Sequence, residues 1–378
     1  MLFRSMATLL RGLCLILLLI LTGSRPRAGG RRESPHSSPY WSQGAVPLLK
    51  RAIDLRRAGD YAHSELVYRQ GLDEARRLGD SLAAVKFLIS IGGCQLFDFR
   101  YREAMATFLE ARALALSIGD REDAGAIAVN LANVYQQVWD FPAANRAAED
   151  GLANAPPDSY FMPQLLILLG RLRANTDPAA ARQYFSRALE IAPLANSPAV
   201  EPQAWDLLGE TDLNGGRLDD AEREFGEALR LRITRHARDT GYSYSLLGAL
   251  ALARRDLPTA EHYTEMAIRA AHKGEPSWPL HRLWHQRGEI RQAQGRLDTA
   301  LADFSAALDR VGQWRTQIVP ARSSLTGANI GLEEKIFRSF IQLAANLAMR
   351  KKDPSLAARA WEALETKDRK STRLNSSH

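Results

Sequence analysis

The sequence of 378 residues predicts an all-α fold, a right-handed superhelical solenoid of antiparallel helix pairs. Two observations carry this prediction: a small residue recurs about every 40 positions, and each recurrence has an equivalent set of neighbours. The recurring small residues are separated by 40, 40, 37, 40, 39 and 40 positions: Ser64, Ala104, Ala144, Ala181, Ala221, Ala260 and Ala300. So steady a period indicates a stacked array rather than two or three ordinary domains.

The units share an internal order of small and bulky side chains. A glycine or alanine precedes the recurring small residue by twelve positions, a bulky residue follows it by four, and a further small residue comes three later. The copies that contain Ser64 and Ala144 are weaker, and in the copy that contains Ala181 the turn is one residue shorter. In the clearest copy these are Gly209, Ala221, Phe225 and Ala228. The small residues let the two helices of a pair approach closely, and the bulky residue fills the space towards the next pair.

This order resembles the tetratricopeptide repeat (TPR). One unit matches the family signature at six positions: Trp205, Leu208, Gly209, Ala221, Phe225 and Ala228. The family period is about 34 residues, so a period of 40 implies a longer second helix, ended at pairs such as Gly79 and Asp80. The resemblance covers residues 47–312, where we expect seven helix pairs, and it implies a scaffold for protein–protein interaction.

The N-terminal residues read as a targeting segment. Arg4 and Arg11 accompany the unbroken apolar run 13–21, and small residues follow it. Residues 1–24 are therefore expected to be a signal peptide or, alternatively, an uncleaved N-terminal anchor. Residues 25–46, rich in Pro, Ser, Gly and Arg, are expected to form a flexible linker. This predicts a protein that is exported to the periplasm or outside the cell, or anchored to the membrane.

Beyond residue 312 the period breaks. We expect an irregular insertion at 313–331 and a further helix pair at 332–366. This region resembles the end of the repeats in bacterial CHAT-type proteins, in which a caspase-like domain with a His/Cys pair follows. That resemblance implies an alternative function, the repeat arm of such a peptidase.

Residues 367–378 show no apolar periodicity. They resemble a translated sequencing-adapter tail, and a disordered basic tail is the alternative. If the tail is foreign, the natural protein continues beyond Thr366 and this chain is a fragment. The natural coding sequence beyond Thr366 would therefore distinguish the two hypotheses: a following domain with a His/Cys pair indicates a peptidase arm, and an early stop indicates a scaffold.

The formal net charge of +7 belongs to the two ends of the chain. Residues 1–32 carry +6 and residues 367–378 carry +3, so residues 33–366 carry −2. A nearly neutral body argues against a basic nucleic-acid-binding face. A nucleic-acid regulator is the weaker third hypothesis, and it requires salt-dependent DNA binding by residues 33–366.

The chemical motifs of common enzymes are missing from the sequence. It has no phosphate-binding loop, dinucleotide fingerprint, zinc-protease motif or serine-hydrolase elbow. We therefore expect no catalytic residues, cofactor or metal. Cys94, among apolar neighbours, is expected to be a buried, inert thiol rather than a nucleophile. His281, His285 and Glu289 share one helical face and could bind a metal, but a polar stripe is preferred because no second helix supplies a further ligand.

The TPR resemblance also implies a partner surface on the concave face lined by first helices. The family's groove positions fall on Lys86, Ile89, Phe97, Asn133, Gln136, Gln137, Asp206, Glu210, Asn214, Tyr242, Ser245, His285, Glu289 and Gln292. This face is predicted to run from apolar to polar and acidic. It favours a protein or peptide segment over nucleic acid, and contact with a membrane only through an uncleaved leader. The Lys/Asn clamp of some family members is not expected, because Leu49, Ile89 and Val129 stand in its place.

Overall fold

The computed structural model describes residues 45–275, 278–318 and 327–375, and within them the side chains of 48–275, 278–311 and 334–366. These residues form sixteen helices arranged as eight successive pairs, and no strand. The prediction of an all-α fold of stacked helix pairs is confirmed. The expected leader and nearly all of the expected linker lie outside the described residues. None of the described helices is long and apolar enough to cross a bilayer.

The chain divides into two compact units, unit 1 (Met1–Thr211) and unit 2 (Asp212–His378). Unit 1 holds α1 Ala45–Arg57, α2 Tyr61–Arg77, α3 Ser81–Phe97, α4 Tyr101–Ser117, α5 Arg121–Gln137, α6 Phe141–Asn154, α7 Met162–Arg173, α8 Pro178–Ile191 and most of α9 Val200–Asn214. Unit 2 continues with α10 Leu218–Thr234, α11 Thr240–Ala253, α12 Leu257–His272, α13 Leu280–Ala293, α14 Leu297–Ile318, α15 Gly327–Lys351 and α16 Pro354–Asn375. Odd-numbered helices are the first of each pair.

Two helix boundaries differ from the expected segments. Helix α14 runs to Ile318, and α15 already begins at Gly327, so only residues 319–326 of the expected insertion lie outside a described helix. The backbone of α16 continues to Asn375, into the stretch expected to be a disordered or foreign tail. Val311, near the expected end of the repeats, is still buried against Ala307 and Ile336, so the packing of α14 continues to the end of the expected repeat region.

The recurring small residues lie at the centre of the packing. All seven, Ser64, Ala104, Ala144, Ala181, Ala221, Ala260 and Ala300, are 0% exposed. Within the pairs, the signature glycine lies under the aromatic ring of the second helix. A Cβ atom built on Gly92 would stand 2.6 Å from Phe108, and one on Gly170 would stand 2.4 Å from Phe185. The expected close approach of the two helices is confirmed.

Many of the turns between helices share one arrangement, an aspartate N-cap. An aspartate caps the start of the next helix, accepting a hydrogen bond from the backbone N–H three residues on, at Asp60, Asp80, Asp120, Asp140, Asp177 and Asp256. Such caps satisfy an N–H group that the helix itself leaves unpaired. The residue before the cap is often left-handed, as at Gly79 (φ 68°) and Trp139 (φ 65°). The left-handed residue ends one helix and the cap begins the next, which sets the short turn.

Ion pairs between residues about one repeat apart tie neighbouring pairs together. In unit 1, Arg76 pairs with Glu110 and Arg112 with Asp150. In unit 2, Arg254 reaches Asp219 at 2.6 Å and Glu222 at 2.7 Å. These pairs are largely exposed, so each contributes little to stability, and their main effect is to favour one register of stacking.

Candidate functional site

In unit 1 the first helices form one side of the stack. Helices α3, α5 and α7 pack on one another as well as on their own second helices, and no two neighbouring second helices there pack as closely. The first helices therefore line the inner side, where one partner could contact several repeats at once. We call the unit-1 residues at the expected groove positions the inner face: Lys86, Ile89, Phe97, Asn133, Gln136, Gln137, Asp206 and Glu210.

Side-chain amides run along α5. Asn130, Asn133, Gln136 and Gln137 are separated by three, three and one positions, which places them on one side of the helix. We call these four residues the amide row. Asn133, Gln136 and Gln137 are half-buried, and Asn130, which the sequence analysis did not select, is 1% exposed. The row combines donors and acceptors, since every amide has both.

Two members of the amide row contain buried polar atoms without a hydrogen-bond partner in the described protein. They are both side-chain polar atoms of Asn130 and the Nε2 atom of Gln136. Buried polar groups in native proteins are almost always hydrogen-bonded, because burial without a partner costs about 1–3 kcal/mol. These atoms are enclosed within the chain, so the half-buried side chains of Asn133 and Gln137 are the members of the row that a partner could contact.

The α3 side of the inner face is apolar, with one ion pair. Ile89 is 6% exposed, and the ring of Phe97 is stacked on Tyr61 with centroids 5.4 Å apart. Lys86 Nζ lies 2.8 Å from Asp123 Oδ2, so this residue links α3 to α5. Burial raises the pKa of Asp123 to about 6, although the Lys86 charge acts in the opposite direction.

Charged groups follow on α7 and α9. Asp206 is buried and Glu210 is half-buried, whereas Arg171 is exposed. Despite this exposure, desolvation by the surrounding protein lowers the pKa of Arg171, and the charge of Glu210 acts to raise it.

Arg171 is not among the groove residues expected from the sequence. A signal was nevertheless present in the chain. Arg171 directly follows Gly170, just as Asn133 follows Ala132 and Glu210 follows Gly209. These three residues therefore occupy equivalent positions of successive first helices, and they bring an amide, a cation and an anion to one side of unit 1.

The expected groove residues of unit 2 fall into two groups. Asn214 and Gln292 are exposed. Ser245 is 0% exposed and donates a hydrogen bond to the carbonyl oxygen of Gly241 at 2.7 Å. Tyr242 is half-buried, and desolvation raises its pKa to about 12. Buried side chains such as Ser245 therefore hold the packing of unit 2 and present little to a partner.

His285 also lies inside unit 2. It is 2% exposed, its Nε2 lies 3.0 Å from Ser339 Oγ on α15, and its Nδ1 lies 3.5 Å from Glu289. Glu289 itself pairs with Lys335 at 2.8 Å. Desolvation lowers the pKa of His285 to about 4, and that of His281 likewise. These contacts connect α13 to α15.

In the described part of the chain, no three or more His, Cys, Asp or Glu side chains are grouped so that they could hold a metal ion. Cys94 is 0% exposed, with its Sγ 3.5 Å from the Ser64 hydroxyl. Burial raises the pKa of Cys94 to about 11, so the thiol is protonated and unreactive at neutral pH. The prediction of a buried cysteine is confirmed.

No protein-family model matches the chain, and no curated protein matches it. Solved structures do resemble it. A tetratricopeptide repeat protein from Parabacteroides merdae is 18% identical, with a TM-score of 0.52 over 79% of this chain and 99% of that one. Aspartyl phosphate phosphatase F from Bacillus subtilis is 13% identical, with a TM-score of 0.56 over 86% and 84%. A Rap protein complexed with Competence and Sporulation Factor is 13% identical, with a TM-score of 0.53 over 88% and 99%.

At these identities the likeness shows the fold alone. The chain has the fold of tetratricopeptide repeat proteins, as the sequence predicted, and it shares this fold with the TPR-like Rap proteins. The resemblance of the region after residue 312 to CHAT-type proteins receives no support from these structures and stays a prediction.

Proposed function

We propose that the chain is a non-enzymatic scaffold that binds an extended segment of another protein, or a peptide, on the inner face of unit 1. The observation that carries this proposal is the amide row on α5, in which Asn133 and Gln137 are half-buried and so present part of their side chains at the surface. A partner could accept hydrogen bonds from these amides and donate hydrogen bonds to them.

A polypeptide main chain is the partner that amides suit best. Each Asn or Gln side chain donates and accepts one or more hydrogen bonds, and so matches the alternating N–H and C=O groups of an extended backbone. The row from Asn130 to Gln137 rises about 10 Å along α5, enough for about three residues of extended chain. Such contacts give affinity with little dependence on the partner's side chains.

The apolar side of the inner face would add selectivity. The half-buried Phe97 ring lies on α3, the neighbouring first helix, and offers apolar surface to a side chain of the bound segment, whereas Ile89 is buried. Burying one such side chain contributes about 1.5–3 kcal/mol. The likeness to a Rap protein complexed with Competence and Sporulation Factor supports binding of a protein or peptide by this fold.

The test is a selection of random 12-residue peptides on the full-length chain, followed by affinity measurements on the selected peptides. We expect the double variant Asn133→Ala with Gln137→Ala to weaken binding at least about tenfold, the value of one or two lost hydrogen bonds. Gln183→Ala, an exposed amide on the second helix α8, is the matched control and should leave the affinity unchanged. Equal affinities for the double variant and the wild type would refute the proposal.

A second candidate function is the repeat arm of a CHAT-type caspase-like peptidase. The sequence pattern of residues 314–365 favours it, including the helix pair α15–α16. Sequencing the natural gene past Thr366 tests it. A following domain with a His/Cys pair would support this function, and a stop codon shortly after Thr366 would exclude it.

We further propose that residues 1–24 direct export or anchor the protein to a membrane. The apolar run 13–21 behind Arg4 and Arg11 supports this. Fusing residues 1–46 to a reporter enzyme that is active only outside the cytoplasm tests it. Reporter activity should require the apolar run, and activity that survives Leu17→Arg would contradict the proposal.

A further inference from the structure

The last described second helix, α16, leaves apolar residues of the repeat pattern uncovered. In the seven preceding pairs the recurring small residue, the residue four later and the residue three after that are all buried. In α16 the equivalent residues are Ala357, Trp361 and Leu364. The N–H of Ala357 donates to the carbonyl oxygen of Asp353 at 3.2 Å, and each recurring small residue donates in the same way to the residue four before it. Ala357 and Trp361 are nevertheless exposed, and Leu364 is half-buried.

A following first helix covers these positions in the preceding pairs. Around α14, for example, Ala300 and Phe304 share one apolar cluster with Phe340 of α15. No first helix follows α16 in the part of the chain that the structure describes. Consecutive helices joined by short turns run antiparallel, so an antiparallel helix is the kind of partner that this side of α16 fits.

The two end helices of the described array differ in their exposed side chains. Those described on α1 are all charged: Lys50, Arg51, Asp54 and Arg57. A polar surface of this kind keeps the end of a repeat array soluble. On α16, by contrast, Trp361 is 63% exposed, more than any other Trp, Tyr or Phe side chain that the structure describes. An exposed apolar surface indicates an interaction site.

A groove beside Trp361 gives this surface its shape. It is open, has a volume of about 600 Å³ and lies between α15 and α16, with alanines such as Ala345 and Ala357 in its lining. The Nε1–H group of Trp361 donates to Glu365 Oε1 at 2.9 Å. The polar group of the exposed ring is therefore satisfied within its own helix, and the ring offers apolar surface to a partner.

We propose that this groove is the interface between two copies of the chain, which pack α16 against α16 in antiparallel order about a two-fold axis. Such an interface requires a surface that is complementary to itself, and this surface combines an exposed ring with small residues. Ala357 and Trp361 lie one turn apart on the same side of α16. In the antiparallel pair, the Trp361 ring of each copy packs on Ala357 of the partner subunit.

The second copy thus takes the place of the next first helix, with the antiparallel order that the repeats use throughout. The inference does not depend on the proposed function, because the groove lies in unit 2 and the inner face lies in unit 1.

The charges beside the groove support the antiparallel order. Lys352 lies just before α16 begins, and Glu365 lies one turn beyond Trp361. When Ala357 meets Trp361 of the partner subunit, Lys352 comes next to Glu365 of the partner subunit. A parallel order would instead bring like charges together. Asp353, the acid beside Lys352, accepts a hydrogen bond from the N–H of Leu356 as the cap of its own helix. These exposed charges set the orientation more than the affinity.

Sedimentation equilibrium of the full-length chain tests the proposal. We expect the wild type to form dimers whose share rises with concentration. Trp361→Glu should weaken self-association at least about a hundredfold, because each dimer loses two buried rings. Leu194→Glu is the matched control, since it places the same charge on an apolar residue of unit 1 that is 78% exposed, and it should leave the dimer unchanged. Circular dichroism should show the same helicity for all three proteins.

Exchanging the ring and the alanine tests the contact itself. Trp361→Ala should weaken self-association because no ring then fills the groove, and Ala357→Trp should weaken it because two rings collide. The double variant Ala357→Trp with Trp361→Ala restores one ring against one alanine at each contact. It should associate at least about tenfold more tightly than either single variant. A double variant no tighter than the single variants would overturn the proposed packing.

The sedimentation results can also overturn the proposal. A wild type that is still monomeric at about 100 μM would contradict it. A dimer that survives Trp361→Glu would place the association elsewhere, for example on the apolar run 13–21. If a monomeric wild type binds a synthetic peptide of α15 and Trp361→Glu does not, the groove accepts a different helix and the second copy is the wrong occupant. None of these results bears on the inner face.

Discussion

Gly288 lies directly under the ring of Phe304, so that a Cβ atom added to this glycine would stand 2.5 Å from the ring's Cε1. The ring is fully buried and lies 5.3 Å, centroid to centroid, from the ring of His285. The same relationship holds between Gly92 and Phe108 and between Gly170 and Phe185. Because this contact is repeated along the chain, it explains why the repeat pattern has a glycine at this position.

The first prediction follows from this contact. We expect Gly288→Ala to lower the free energy of unfolding by about 1–3 kcal/mol, because the added methyl group forces the two helices apart. Gly226→Ala is the control, since Gly226 lies within α10 and a Cβ there meets nothing within 4 Å. That change should stabilise the protein by up to about 1 kcal/mol through helix propensity. Urea denaturation measures both, and equal effects at the two sites would contradict this description of the packing.

The second prediction concerns the pH dependence of the pair Lys86–Asp123. Burial raises the pKa of Asp123 to about 6, so the folded state favours the protonated carboxyl. The stabilisation that this preference provides is fully present below about pH 4 and is lost as the pH rises through 6. Lys86→Met removes the charge that compensates the ionised carboxylate. We therefore expect this variant to lose about 1 kcal/mol or more at pH 7.5 and much less at pH 4.5.

Thermal unfolding of both proteins at the two pH values measures the effect. Arg57→Met is the control, because Arg57 and its partner Asp54 are both exposed, at a distance of 3.8 Å. It should change stability little at either pH. A loss for Lys86→Met that was the same at pH 4.5 and pH 7.5 would show that the charge of Asp123 is not involved.

The third prediction uses the turn between α11 and α12. Arg255 has a left-handed backbone, with φ at 60°, where glycine is free of strain. We expect Arg255→Gly to stabilise the protein by roughly 0.5–1 kcal/mol. Its neighbour Arg254 has an ordinary helical backbone and pairs with Asp219 and Glu222, so Arg254→Gly should destabilise it. Chemical denaturation should show that the free energy of unfolding rises for Arg255→Gly and falls for Arg254→Gly. A loss of stability in both variants would contradict the role of backbone strain at Arg255.

The fourth prediction concerns a buried acid in unit 2. Asp303 is 4% exposed and accepts hydrogen bonds from Arg287 at 2.7 Å and from Arg291 at 2.8 Å. We expect Asp303→Asn to cost about 2–4 kcal/mol, since it leaves the half-buried Arg287 without its anion and removes one of the acids that Arg291 contacts, Glu261 remaining at 3.2 Å. Asp298→Asn, at an exposed acid that contacts Lys351, should cost less than about 0.5 kcal/mol. Denaturation midpoints measure the loss of stability in the two variants. Similar losses would show that the buried ion pairs of Asp303 stabilise the protein no more than an exposed pair does.

Much of the fold could be predicted because its signal is local and repeated. The small residues such as Ala221 and Ala260 recur at a period set by two helices and a turn, and all seven are buried as the pattern requires. The caps are equally visible, since an aspartate such as Asp80 or Asp140 directly precedes a helix.

Less of the candidate site could be predicted, because exposure depends on residues far away in the chain. His285 holds a groove position in its own helix, yet Ser339, 54 residues later, covers it from α15. The groove position of Arg171 follows from its place directly after Gly170, but its exposure could not be predicted from the sequence. Asn130 is set apart by its buried, unpaired amide, which no single-helix pattern reveals.

Site-specific photo-cross-linking to a peptide selected on the full-length chain tests directly whether the partner binds on the inner face of unit 1. A photoreactive residue replaces Gln137 on α5 of unit 1 or, as the control, Gln183 on α8. If the partner lies on the inner face, the peptide should cross-link at position 137 and not at position 183. Cross-linking at position 183 without any at position 137 would place the partner on the second helices and contradict the account.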